Sequence, residues 1–323
     1  MLRAMDSAVS GLRAHQNKLD VIGHNIANVN TVGYKSQSYT FKDSMYQSST
    51  ASTAGTATAG GVNAAQYGYG SLMGTISMDM TASTATYVGG FCATIDGEGF
   101  FVTKPTKLTN IFATTGVAAN DTTNIKQADF SYTRVGQFRK DSNGFITDGQ
   151  GNFVYGYRSS DGSTVNNQLV PLRIPNSVTV TNNTVNIGYA ADTAVGVADS
   201  LQCSDIQINK AGNIEATIID QNGDSRTVMI GTVAIVTFQN QDGLTKDGSN
   251  YYKVSENDNT GNCSADVPGS NRASLMPGYL EASNVDMAVE FSEMIMAERG
   301  FQANSKIITV SDEILSDLIS MKR

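Results

Sequence analysis

Tryptophan is absent from this chain of 323 residues, histidine occurs twice, cysteine three times and proline five times. Each shortage removes a class of function. With only His15 and His24 available, any His-dependent triad or acid–base pair must use one of them, and both lie in a helix-patterned N-terminal stretch. His15 reads instead as a partly buried, hydrogen-bonded helix residue. Cys92, Cys203 and Cys263 are an odd set without metal-like spacing, so neither a disulfide framework nor a zinc site is expected and the thiols read as buried or incidental. No catalytic, cofactor-binding or metal-binding residue is assigned.

Charge is also scarce. Charged residues make up 16% of the chain and the net charge is −8. Phosphate binding needs clustered Lys and Arg, so nucleic acid is excluded as a partner, and no polybasic run suits a membrane surface. No apolar stretch approaches the ~18 residues that span a bilayer. The best window, Val228 to Phe238, is broken by Gly231 and Thr232, so no membrane insertion is expected. Asp6, Arg13, Lys18 and Asp20 interrupt what would have to be the apolar core of a secretory signal. Asp96-Gly-Glu-Gly99 and Asp141-Ser-Asn-Gly144 hint at phosphate and calcium loops, but each lacks the remaining ligands and reads as a turn between strands.

What the sequence does have is concentrated at its ends. Met5, Ala8, Leu12, His15, Leu19, Ile22 and Ile26 alternate steps of three and four, the seam of a coiled-coil helix. Near the C-terminus Met287, Phe291, Met294, Phe301, Ile308, Leu315 and Ile319 form one such seam, and Ile307, Ile314, Leu318 and Met321 form a second beside it. That apolar arc is too broad for a single partner helix. Ser283 and Asp286 have the spacing of a capping box, which predicts a helix from about residue 283.

Between the ends the pattern is β-type. From Gln47 to Gly61 only Gln, Ser, Thr, Ala and Gly occur, too little apolar area to order the segment in isolation. Strands punctuated by Gly and Asn turns follow from about Tyr67, among them Ala93 to Val102, Tyr132 to Arg139 and Ile206 to Phe238, with reversals at Asp148–Gly151, Lys210–Asn213 and Gln221–Asp224. The expected fold is mainly β with terminal α-helices. Residues 1–30 and 283–323 are expected to form a helical coiled-coil domain, 31–66 a flexible linker, and 67–282 a β-rich domain with polar insertions near 106–127 and 176–199.

Leu19-Asp-Val-Ile-Gly-His-Asn-Ile-Ala-Asn-Val-Asn-Thr-Val-Gly-Tyr-Lys35 resembles the N-terminal signature of the bacterial flagellar rod and hook proteins. Gly278 to Asp286, with Met294-Ile-Met-Ala-Glu-Arg-Gly-Phe-Gln-Ala-Asn-Ser-Lys306, resembles their C-terminal signature. Ile95 to Val102 and Tyr132 to Phe138 are similar to the family's central β motifs, in the expected order. The chain departs from the pattern at His24, where the family often has Asn, and at Gly89-Gly-Phe-Cys92.

The resemblance implies a non-enzymatic subunit, without cofactor, that is exported unfolded by the flagellar type III apparatus and assembles into an axial tube. The implied partners are further copies of itself in a helical homopolymer, the flagellar rod, hook-cap and hook–filament junction proteins, and the export apparatus. The residues expected at subunit interfaces are Met5, Leu12, Leu19, Ile22, Asn25, Ile26, Asn28, Met287, Phe291, Met294, Phe301, Ile308, Ile314, Leu315, Leu318 and Ile319. Within the family, length, the extended Thr31 to Ser71 region and Arg299-Gly-Phe-Gln-Ala-Asn304 point to the hook, with the distal rod as alternative. A secreted β-rich adhesin or carbohydrate-binding protein is the alternative of another class.

Overall fold

The computed structural model describes residues 2–321 apart from 57–59, 108–116, 119–120, 160, 162–164, 176, 182–183, 189–202, 220–224, 256 and 270–272. The chain divides into two compact units, one comprising residues 1–29, 35–79 and 285–323 and the other residues 30–34 and 80–284. The first is therefore assembled from both ends of the sequence. It contains a long helix α1 (Leu2–Ala27) and a second, α3 (Met287–Met321). The sequence expectation of mainly β structure with helical termini holds.

The start of α3 differs from the capping-box expectation. Asp286, not Ser283, caps it: its carboxylate accepts from the backbone N–H of Ala288 at 2.8 Å and of Val289 at 3.3 Å. These are donors that the first turn of a helix otherwise leaves unsatisfied.

Residues 31–66, read from sequence as a linker, contain strands among the described residues. β1 (Gln37–Asp43) pairs antiparallel with β4 (Ser71–Met78), and beyond them β2 (Tyr46–Thr50) pairs with β3 (Ala65–Gly68). The Thr53–Val62 bridge extends this ribbon toward its tip. Cross-strand hydrogen bonds order what apolar content does not: the Thr40 and Thr75 hydroxyls lie 2.9 Å apart, and Gln66 donates to Ser48 at 3.1 Å. Residues 67–79 belong with the ribbon and helices rather than with the β-rich unit.

The second unit is built on an antiparallel sheet of fourteen strands among the described residues. Its main path runs through Cys203–Ile208, Asn213–Ile219, Ser225–Val233, Phe153–Arg158, Phe100–Lys104, Ser131–Thr133, Tyr251–Lys253 and Thr245–Gly248. One core cluster collects Ile95, Phe101, Phe138, Ile146, Val154, Leu172, Ile214, Ile230 and Leu275. Phe101 packs edge-to-face on Phe138 within it at 5.2 Å, and elsewhere in the unit Tyr132 packs edge-to-face on Phe238 at 4.9 Å. Gly136 permits the closest approach: a Cβ there would lie 1.7 Å from the Ala93 carbonyl oxygen.

Ala93 to Val102 is a strand, turn and strand as expected, but not a hairpin. Ala93–Asp96 pairs with Ser274–Pro277, while Phe100–Lys104 enters the main sheet. Gly97 and Gly99, at φ +127° and +141°, redirect the chain between the two. The turns at Asp141–Gly144, Asp148–Gly151 and Lys210–Asn213 are present. That at Gln221–Asp224 lies outside the described residues.

The described part of 106–127 is integrated into the unit rather than looped from it. Val117–Ala118 pairs with Gln168–Pro171, and a short helix α2 (Thr122–Gln127), capped by the Asp121 side chain, buries Ile125 completely. Lys126 pairs with Asp258 at 3.1 Å. Within 176–199 the strands Ser177–Thr181 and Thr184–Gly188 form a two-stranded hairpin, and the remaining residues lie outside those described. Cys92 and Cys263 are buried free thiols, and burial pushes both up. Cys203 lies on a strand, but its side chain is outside the described residues.

Candidate subunit interface

The helices α1 and α3 lie antiparallel. Gly11 faces Asn304, His15 faces Gly300, and Asn25 donates to Glu290 at 2.8 Å. Lys18 forms an ion pair with Glu293 at 3.1 Å. At ~1.5 Å per residue, 26 residues of α1 span about 39 Å and 35 residues of α3 about 52 Å. In the first three pairs the residue numbers sum to 315, so the start of α1 falls opposite residue 313 and the last two turns of α3 run past it.

The contacting face of α3 is small or polar. Ala8, Gly11, Ala14, Val21, Ile22 and Asn25 are buried on α1, but on α3 only Ala297 and Ser311 are buried among the described residues. A Cβ on Gly300 would meet the His15 ring at 2.5 Å, so the helices approach at a point that only glycine allows.

The expected interface residues therefore divide into groups. Ile22 is buried in the helix pair, while Met5, Leu12, Leu19 and Ile26 are half-buried on α1. Met294, Ile308 and Leu315 are half-buried on α3. Met287, Phe291, Phe301, Ile314, Leu318 and Ile319 remain exposed, joined by Val289, Ile295, Met296, Ile307 and Met321. The large apolar side chains thus mark the surface that α1 leaves uncovered, partly alongside the helix seam and partly on the turns that run past the start of α1. Sequence reasoning missed Ala297, Asn304 and Ser311, which with Glu290 recur every seven residues and carry the intramolecular seam. Their small or polar character hides them from a hydrophobic periodicity search.

The two asparagines serve the chain itself. Asn25 is buried, its Oδ1 accepting from the Gln37 N–H at 3.0 Å and its Nδ2 donating to the Gln37 carbonyl at 2.8 Å. Asn28 is half-buried, and its Nδ2 donates to the His24 carbonyl at 2.9 Å.

The electrostatics follow from this packing. His15 is held below its ordinary value by burial and secondarily by Lys18, and among the described residues its buried Nδ1 has no hydrogen-bond partner, contrary to the hydrogen-bonded state expected for it. Its ring lies against Phe41 of β1 at 5.2 Å. Burial pushes the Glu290 carboxyl up, partly offset by the hydrogen bond from Asn25.

Comparison with known proteins agrees with this geometry. Residues 5–35 match the family described as "Flagella basal body rod protein", and residues 276–321 match "Flagellar basal body rod FlgEFG protein C-terminal". The matched segments contain α1 and α3 almost entirely. The flagellar basal-body rod protein FlgG of Bacillus subtilis is 37% identical over 324 residues, covering 100% of both chains. The chain belongs to the flagellar rod and hook protein family. The flagellar hook protein FlgE of Borreliella burgdorferi is 26% identical over 450 residues, covering 100% of both chains. The FlgG of Buchnera aphidicola (Schizaphis graminum) is 27% identical over 323 residues, covering 98% of this chain and 99% of its own.

As a member of the rod and hook family, the chain is an axial structural protein of the bacterial flagellum that polymerises with other flagellar components and serves motility. The family is a structural component of the flagellum. Membership replaces the adhesin and carbohydrate-binding alternative.

Proposed function

We propose that this chain is a distal-rod-type subunit that polymerises through the open apolar face of α3. The observation that carries the rod assignment is alignment length. The alignment with the Bacillus subtilis rod relative spans 324 positions against a chain of 323, so nearly every residue of that relative has a counterpart here, whereas the 450-position alignment with the hook relative leaves a large share of its residues without one. Length therefore argues opposite to its use in the sequence analysis, where it favoured the hook. In this reading the partners are further copies of the chain in a helical homopolymer, neighbouring rod and hook subunits, and the type III export apparatus.

The open face supports polymerisation on physical grounds. Contiguous exposed apolar surface on a helix marks an interaction site, and burying one Leu, Ile or Phe side chain contributes about 1.5–3 kcal/mol. The residues proposed for contacts between copies are Met287, Phe291, Phe301, Ile314, Leu318 and Ile319. Those proposed to shape the same surface from the side of the helix pair are Met5, Leu12, Leu19, Ile22, Asn25, Ile26, Asn28, Met294, Ile308 and Leu315.

The hook remains the second reading, favoured by the end-to-end match with a hook protein. Hook-cap and hook–filament junction proteins are partners in that reading. Electron microscopy of the purified full-length chain driven to polymerise separates the two: straight, stiff tubes support the rod and curved tubes the hook. Absence of any tube, or tubes formed equally well by a variant with Ile314, Leu318 and Ile319 all changed to Asp, would count against both.

A further inference from the structure

Asn25 joins three elements of the helical unit. Its two amide hydrogens go to different places, one to the Gln37 carbonyl of β1 at 2.8 Å and one to Glu290 Oε1 of α3 at 2.8 Å. Its oxygen receives the Gln37 N–H at 3.0 Å. The side chain thus pairs with one backbone residue as a neighbouring strand would, and reaches the facing helix as well. Burial alone would be met by an apolar residue of the same size, and it would need none of these bonds. A buried polar group inside a helix pair is a known means of fixing register at some expense of stability.

The register has a second fixed point. His15 requires glycine opposite, because a Cβ on residue 300 would lie 2.5 Å from its ring. Sliding α3 by four residues in one direction replaces Gly300 by Asn304 opposite His15 and Glu290 by Met294 opposite Asn25. Sliding by three brings Glu293 to Asn25 but puts Ala303 against His15. Neither shift satisfies both points, whereas the observed register does.

We infer that Asn25 is the positioning residue of the helical unit, locking the register of α1 against α3 and fastening β1 to both. The consequence is a fixed overhang of α3 beyond α1, carrying Ile314, Leu318, Ile319 and Met321. A slip of one turn would move that end by about 5.4 Å. The inference rests on the proposed polymerisation through α3, since register matters to function only if that end meets a neighbouring copy.

The test uses the full-length protein with Asn25→Asp, Glu290→Gln, both together, and Asn25→Leu as a burial control. Asn25→Asp keeps the acceptor for the Gln37 N–H but sets a carboxylate against Glu290, and adding Glu290→Gln restores a donor across that gap. Asn25→Asp is expected to raise the critical concentration for polymerisation about tenfold, and the double variant to return within about threefold of wild type. Glu290→Gln alone retains the acceptor and is expected to stay within about twofold. Hydrogen exchange on the polymer is expected to leave the Gln37 amide protected in Asn25→Asp and exposed in Asn25→Leu. Equal critical concentrations for Asn25→Asp and the double variant, or a Gln37 amide still protected in Asn25→Leu, would overturn the inference. If the wild-type chain forms no polymer, the proposed function fails on its own, and the same exchange pattern in the soluble chain then decides the role of Asn25.

Discussion

Gly300 and His15 place opposing demands on one point of the helix pair. Alanine in place of a helical glycine ordinarily stabilises a helix by about 0.5–1 kcal/mol. Here the added methyl would enter the His15 ring, which is itself held against Phe41. Gly300→Ala is therefore expected to destabilise the helix pair by about 1–3 kcal/mol, seen as an earlier loss of helical circular dichroism on heating. Gly11→Ala is expected to do less, because its nearest neighbour is the mobile end of Asn304. The same pair of helices carries a pH signature. His15 is held below its ordinary 6.5 in the folded chain, so its contribution is complete above that pH and is lost as the pH falls from 6.5 through the lowered value. Glu290 is raised above 4.5, so its contribution is present at low pH and declines as the pH rises through the raised value. Helix-pair stability measured against pH should lose its acid-side decline in His15→Gln and its opposing slope in Glu290→Gln.

At the scale of the element, α3 has two faces with different chemistry. The side toward α1 is small or polar, with Ala297, Gly300, Asn304 and Ser311, while Phe291 and Phe301 are exposed beside it and Ile314 and Leu318 are exposed on the end that runs past α1. The existence and approximate limits of both helices were legible in sequence because apolar periodicity is strong at both ends. The breadth of the apolar arc was legible too. Which side faced the partner was not, since a seam formed by close approach selects for small volume rather than hydrophobicity. The β2–β3 part of the ribbon escaped for a related reason: its order comes from backbone pairing, which Thr, Ser and Gln support without an apolar pattern. Helices with an uncovered apolar face are marginal in water. Limited proteolysis of the free chain is expected to cut within α1 and α3 before it cuts the β-rich unit, and assembly is expected to abolish that difference. Termini resistant before assembly would refute this expectation.

The whole molecule depends on a buried charge in the β-rich unit. Arg134 and Glu281 are both 1% exposed at the side chain, 3.6 Å apart, and the guanidinium also lies 5.4 Å from the Phe100 ring centre. Burial lowers the Arg134 pKa, and Glu281 opposes that shift. Glu281→Ala leaves a buried guanidinium without its counter-charge, so a loss of about 3–5 kcal/mol is expected in denaturant unfolding of the full chain. Replacing both residues by apolar ones of similar volume is expected to cost much less. Glu281 also fixes where the chain enters and leaves this unit: its carbonyl accepts the Gly33 N–H at 2.8 Å, and its carboxylate accepts the Ser83 N–H at 3.0 Å. That closure changes the entropy of bringing the two ends of the sequence together. Asn25 and Glu290 are 265 residues apart along the chain, and closing so long a loop in an unfolded polypeptide costs about 5 kcal/mol on logarithmic scaling. Once Gly33 is joined to Glu281, only eight residues on one side and nine on the other separate the partners, and the closure falls to about 2.5 kcal/mol. A folded β-rich unit thus acts as a tether that raises the effective concentration of one helix near the other, so α1 and α3 are expected to pair late, after the sheet has closed.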